Sequence, residues 1–199
     1  VYPAHGLPIV GRQRVETVLG DIAEALEHLA GSTLDLMNEG ATIDEIIHAV
    51  RVPEHLADRP WLAPQYDEPE FVVRNVYRQF GGWWDGKPAN LKPAPEAALA
   101  AEVVALAGSI ESVVDRALEL VDAGDLRLAC HLAEMAVAAE PTHDGAQRAR
   151  ADVYWHRRAA ERSLMSKGVY AAAARESEAA LGGEVDGDAM RDTIRGALG

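Results

Sequence analysis

From Pro95 to Leu181 the chain reads as helix after helix, with breaks too short to hold any other element. The segments expected are about 96–107, 109–123, 126–140, 142–165 and 169–181, with a weaker one from Asp188. Gly108, Gly124-Asp125, Pro141 and Gly168 mark the breaks, and connections this short favour antiparallel neighbours. Nowhere do apolar and polar residues alternate with period two for long enough to make a sheet. Only Val1–Ala4 has the form of a strand tail. The fold class expected is therefore all-α, a helical bundle.

Alanine separates the halves, with 13 in residues 1–100 and 23 in residues 101–199. Ala123-Gly124-Asp125-Leu126, followed by Ala129, Ala133, Ala136 and Glu140-Pro141, resembles tetratricopeptide packing, with small residues where paired helices touch and a proline at the turn. Lys167-Gly168-Val169-Tyr170 with Ala172, Ala173 and Leu181 repeats the theme 44 residues later. The usual period is about 34, so tetratricopeptide-like hairpins are expected in the C-terminal half rather than a repeat array with a peptide groove.

The first half opens with Val15, Val18, Leu19, Ile22, Leu26, Leu29, Thr33, Leu34 and Met37 at three- and four-residue spacing, one apolar face of a helix over about 12–39. Gly40 offers a left-handed stop, and Thr42 with Glu45 has the form of a capping box for a short helix through Val50. Pro53 starts a further turn. Asp67-Glu68-Pro69-Glu70 starts another helix, which ends at Gly81-Gly82. Between Pro53 and Pro95 lie seven of the ten prolines and three of the four tryptophans, an irregular central segment. Adjacent Trp83 and Trp84 cannot face one way, so at least one is expected to pack beneath its loop.

With 19 Lys+Arg against 32 Asp+Glu the net charge is −13. Such a field repels phosphate, so nucleic acid is not expected as a partner, and anionic membranes are disfavoured for the same reason. No apolar run is long enough to span a bilayer and no signal peptide is visible. Cys130 is the one cysteine. It rules out an internal disulfide framework and permits a reducing compartment. The chain starts Val1-Tyr2-Pro3 without a methionine, which is expected of a piece of a longer protein.

Catalytic signatures are sparse. There is no Gly-x-Ser-x-Gly elbow and no phosphate-cradling glycine loop, and Cys130 sits among Leu128, Ala129, Leu132 and Ala133, where it reads as a small core residue rather than a thiolate. Glu45 and His48 have the three-residue spacing of a carboxylate-bridged metal site in a helical bundle, yet such a site needs matching groups from facing helices, and a solvated helix face is the simpler reading. His131 with Glu134, and Asp152 with His156, read more simply as solvated helix faces. His5 differs, because it lies at a strand-like end and precedes Gly6 in a tight turn. One imidazole cannot hold zinc alone, so both a ligand role and a bland one remain open for His5 on spacing.

His5-Gly6-x-Pro8-x-x-Gly11, Thr33-Leu34-x-Leu36-Met37-Asn38-Glu39-Gly40, Thr42-x-Asp44-Glu45-Ile46, Val52-Pro53-x-x-Leu56, Asn75-Val76-Tyr77 and Gly82-Trp83-Trp84-Asp85-Gly86-Lys87-Pro88-Ala89-Asn90-Leu91 together resemble the alkyl sulfatase branch of the metallo-β-lactamase superfamily. The resemblance covers roughly residues 3–155 and falls on the helical dimerisation domain that follows the hydrolase core in that family. It implies an upstream catalytic domain with a binuclear zinc site on a His-x-His-x-Asp-His motif, hydrolysing sulfuric esters of alkyl chains. Carried over by position, His5 matches the last histidine metal ligand, and no other residue maps onto a catalytic position. Two departures stand out. Val10 replaces a tryptophan of the family pattern, and beyond Trp155 the match fades where many members continue into a sterol-carrier-like domain.

The resulting expectation has three parts. Residues 1–11 are the edge of a hydrolase domain, 12–155 a helical dimerisation domain and 156–199 additional helices. The partners are a second copy, in a homodimer, and the upstream catalytic domain. This chain alone is expected to be catalytically silent and to bind no zinc tightly. A tetratricopeptide-like interaction module and a free-standing carboxylate-bridged metal enzyme are the alternatives.

Overall fold

The computed structural model describes residues 1–3 and 5–182. Among the described residues there are nine α-helices, two 3-10 turns and no strand, so the chain is all-α. Val1 and Ile9 do exchange two hydrogen bonds, both at 2.9 Å, without extending into a ladder. The helix expected from Asp188 lies outside the described residues. Contacts divide the described residues into two units, one of residues 1–93 with 162–165 and the other of 94–161 with 166–182.

The first unit is built on α1 (Arg12–Asn38), α2 (Ile43–Ala49), α3 (Glu54–Ala57) and α4 (Pro69–Gly81), with 3-10 turns at Pro60–Leu62 and Pro88–Leu91. α1 ends because Gly40 adopts φ +86°, letting the Gly40 and Ala41 N–H groups donate to the Met37 and Leu36 carbonyls at 3.1 and 3.0 Å. The capping box then starts α2. Thr42 Oγ1 accepts from the Glu45 N–H at 3.3 Å, and the Glu45 carboxylate accepts from the Thr42 N–H at 2.7 Å. Leu29, Ile46, Ile47, Val50 and Val73 form the buried core of this unit, with Leu36, Met37, Val72 and Tyr77 packed around it. The expected hairpin of α1 and α2 thus buries Ile46 and Ile47 inside the chain.

The second unit holds α5 (Glu96–Ala107), α6 (Ile110–Asp122), α7 (Leu126–Ala139), α8 (Asp144–Ala160) and most of α9 (Leu164–Ala180). Alanines allow the close approach. Ala117, Ala129 and Ala133 pack with Leu120 and Val153 in one cluster, and Ala136 and Ala146 with Ile110 and Val113 in the next. Ser109 and Asp125 cap α6 and α7 through their side-chain oxygens. α8 is capped by His143, whose Nδ1 accepts from the Ala146 N–H at 3.1 Å.

One break falls elsewhere than expected. α8 stops at Ala160, and α9 starts at Leu164 and runs straight through Gly168. A glycine within a helix costs only about 1 kcal/mol, and contacts in the first unit decide the break instead. Ser163, buried, donates its hydroxyl to the Tyr66 carbonyl at 2.6 Å. The Leu164 N–H donates to the Gln65 carbonyl at 2.9 Å and the Met165 N–H to that of Tyr66 at 3.3 Å.

Candidate functional site

His5 is exposed, in a turn where Gly6 takes φ +126°. Its ring lies flat on that of Tyr66, with centroids 4.1 Å apart and planes 3° apart. Tyr66 is in turn fixed through the backbone bonds to Ser163 and Met165. This pairing is not legible in the sequence, because 61 positions separate the two rings and neither lies on a periodic face.

Among the described residues no three His, Cys, Asp or Glu side chains come together to hold a metal ion. Among the described residues, His5 is therefore not joined by the further ligand side chains a metal site would need. The other pairs weighed above have local roles. His48 and His156 bond through Nδ1 to the carbonyls of Asp44 and Asp152, one turn back. Glu45 belongs to the capping box, whose Thr42 donors hold its carboxyl below the usual range. Cys130 packs beside the α6–α7–α8 cluster, and burial pushes its thiol up to about 11, so it behaves as the small core residue the sequence suggested.

Glu134 is a structural anchor. It accepts from Arg150 Nε at 2.9 Å and from the Tyr154 hydroxyl at 2.6 Å. Arg150 also donates to the Ala173 carbonyl and to Ser177 Oγ at 2.8 and 3.0 Å, tying α7, α8 and α9 together. Its guanidinium lies over the Tyr154 ring at 5.2 Å. Burial and the Glu134 carboxylate both push the Tyr154 hydroxyl up, so it stays a neutral donor.

The loop after α4 is tied by side-chain hydrogen bonds. The Tyr77 hydroxyl donates to the Trp84 carbonyl at 2.8 Å, and Asp85 accepts from Asn90 Nδ2 and, at 2.9 Å, from the Lys87 N–H. Those donors hold the Asp85 carboxyl below its ordinary value. Gly86 sits at φ +86°, and a Cβ there would stand 2.8 Å from Thr42 Cγ2. Trp84 is half-buried, as expected for one of the pair, whereas Trp83 is 76% exposed and meets it edge-on at 6.0 Å.

Large apolar side chains remain exposed on α1, α4, α5, α7 and α9, with Phe80 on α4, Leu128 on α7, and Leu164 and Val169 on α9. Leu19 and Leu26, one heptad apart, are exposed on α1, and Leu99 and Leu106, also a heptad apart, are exposed on α5. No described helix is by itself long and apolar enough to cross a membrane.

Helices whose apolar residues exceed what their own interior covers suit a domain that associates, and the comparisons identify which. A family described as alkyl sulfatase dimerisation matches residues 42–180, and the chain belongs to this family. Its relatives are alkylsulfatases. It is 32% identical over 184 residues to a linear primary-alkylsulfatase of a Pseudomonas strain, covering 92% of this chain and 35% of that protein. It is 34% identical over 150 residues to an (R)-specific secondary-alkylsulfatase of Pseudomonas, covering 74% of this chain and 22% of the other. The solved structure of Pisa1, a stereoselective inverting sec-alkylsulfatase from Pseudomonas, superposes with a TM-score of 0.80 at 29% identity, covering 87% of this chain and 27% of that one. The chain thus spans about a third or less of the length of these relatives.

Proposed function

We propose that this chain is the homodimerisation region of a larger, zinc-dependent alkyl sulfatase-like hydrolase. Residues 1–11 would be the edge of the hydrolase domain, 12–155 the dimerisation domain and 156–199 additional helices. Hydrolysis of sulfuric esters would be the work of the catalytic domain, and this chain alone would be silent. The observation that carries the reading is the uncovered apolar surface at Leu19, Leu26, Leu99 and Leu106, on a chain whose family is described by dimerisation. A two-fold contact of identical patches covers such surface on both copies at once.

His5 fits the role of one imidazole donor delivered to a zinc ion that is otherwise held by residues of the hydrolase domain. Its exposure and its flat seat on Tyr66 support that role, since a ligand ring must be both reachable and oriented. Light scattering after gel filtration is expected to give twice 21.4 kDa. A monomer across the micromolar range would overturn the homodimer. Added zinc is expected to give no turnover on an alkyl sulfate, and turnover by this chain alone would overturn its silence.

A further inference from the structure

We propose that Tyr66 is a positioning residue for His5, holding the imidazole plane by its face so that both ring nitrogens stay open in that plane to a metal ion. The inference rests on the reading of His5 as a zinc ligand and adds what orients the ring.

An imidazole offers a metal a lone pair that lies in the plane of the ring, so the setting of that plane decides whether the lone pair meets the ion. The usual device is a hydrogen bond from the other ring nitrogen to a carboxylate or a carbonyl. His5 has no such bond among the described residues. Its contact with Tyr66 is of another kind, rings 4.1 Å apart and 3° from parallel, and a face contact occupies neither in-plane lone pair. Other histidines show the contrast. His48 and His156 each hold Nδ1 on the carbonyl one turn back, at 2.7 and 2.9 Å. His55 Nε2 lies 2.8 Å from Glu24, and His143 Nδ1 accepts from the Ala146 N–H. Each of these rings is held at an edge and gives up a nitrogen, whereas His5 gives up none.

The seat is itself anchored, and every anchor lies in the first unit. His5 sits midway in a loop closed by the two Val1–Ile9 hydrogen bonds, with Gly6 at φ +126° directly after it. Beneath it, the Tyr66 carbonyl takes the Ser163 hydroxyl at 2.6 Å and the Met165 N–H at 3.3 Å, and the Gln65 carbonyl takes the Leu164 N–H at 2.9 Å. Three consecutive residues at the α8–α9 break thus fix the two residues that carry the ring. The ring does not fill the interior, since Tyr66 is 41% exposed and stands outside the buried core of its unit. A stacked aromatic pair favours the seated ring by a factor of about 2–10.

Two measurements test the role. In this chain, proton NMR reads the seat directly. The imidazole C–H signals that vanish in His5→Ala are those of His5, and they are expected upfield of the His48 and His156 signals because they lie over an aromatic face. Tyr66→Phe is expected to keep that upfield position and Tyr66→Leu to lose it, with both melting as the wild type does. In the full-length zinc hydrolase proposed above, the readout is zinc content per chain and the rate at which zinc is lost to EDTA. Tyr66→Leu is expected to speed the loss of one zinc about 2- to 10-fold, Tyr66→Phe to restore the wild-type rate, and His5→Ala to lack that zinc.

No upfield displacement in the wild type overturns the seat. A displacement lost in Tyr66→Leu with an unchanged rate of zinc loss overturns the positioning role while His5 stands as a ligand. Full zinc content in His5→Ala overturns the ligand reading and the proposal with it. Faster loss that Tyr66→Phe fails to restore, or that comes with a lowered melting temperature in Tyr66→Leu, assigns Tyr66 a purely structural part and overturns the proposal.

Discussion

Replacing Arg150 with alanine is expected to cost about 3 kcal/mol of stability. Its side chain is only 12% exposed, and its losses can be counted one partner at a time. The Ala173 carbonyl already accepts within α9, and the Ser177 hydroxyl can turn to another acceptor, so neither is left stranded at full penalty. Glu134 loses its ionic donor but keeps the Tyr154 hydroxyl and, at 38% side-chain exposure, some access to water. Breaking a buried pair outright costs about 3–5 kcal/mol, and that residual solvation puts this case at the lower end.

For a chain of this size the loss is a fall in melting temperature of about 6–12 °C. Thermal melts followed by circular dichroism at neutral pH would measure it for Arg150→Ala, Arg150→Lys, Glu134→Gln and the double variant. Lysine reaches one acceptor but not the four that the guanidinium meets, Glu176 at 3.5 Å being the most distant, so it is expected to recover less than half. The double variant is expected to show a coupling of about 1–2 kcal/mol between the two side chains. A loss below about 1 kcal/mol, or one that disappears at high salt, would refute the view that this guanidinium holds α7, α8 and α9 together, because a buried pair is only weakly screened.

Three further outcomes are expected. Gly86→Ala combines a left-handed backbone with a Cβ 2.8 Å from Thr42 Cγ2, so it is expected to destabilise the first unit by about 1–3 kcal/mol, and an unchanged urea midpoint would contradict that. Ser163→Ala is expected to cost about 1–2 kcal/mol by leaving the Tyr66 carbonyl without its hydroxyl donor, whereas Gly168→Ala, with open space around its Cβ, is expected to stabilise by up to about 1 kcal/mol. The folded carboxyl of Glu45 lies below its ordinary value near 4.5, so its contribution to α2 is fully present above that pH and is lost as pH falls through the depressed value. Amide exchange in α2 should accelerate over that acidic range in the wild type and lose the dependence in Glu45→Gln, and flat wild-type protection would refute the linkage.

Periodicity and punctuation sufficed for helices whose ends are settled by neighbours in sequence. α5 occupies the span expected, and the Thr42–Glu45 box forms as its spacing required, because both depend on residues within one turn. The α8–α9 break escaped because it is fixed by Tyr66, whose partner Ser163 lies 97 residues away, and a glycine at 168 was the louder local signal. The Arg150 network escaped for a similar reason. An arginine, a glutamate and a tyrosine on separate alanine-rich helices carry no spacing that marks them as partners until the helices pack. His5 was legible as a candidate from its glycine turn, but Tyr66 beneath it was not, since stacking follows tertiary placement alone. The exposed leucines of α1 and α5 looked in sequence like any other core positions, because a periodic pattern does not say whether the chain itself or a neighbour covers the face.

The bond from Ser163 to Tyr66 also orders events in time. Residues 1–93 emerge from the ribosome long before residue 163, so the first unit cannot complete its own contacts while it is the only part made. During that interval the Gln65 and Tyr66 carbonyls wait for donors carried by chain not yet synthesised. A nascent chain stalled before residue 163 would therefore hold this corner loosely, and with it the seat of His5, so the turn acquires its final orientation late in translation.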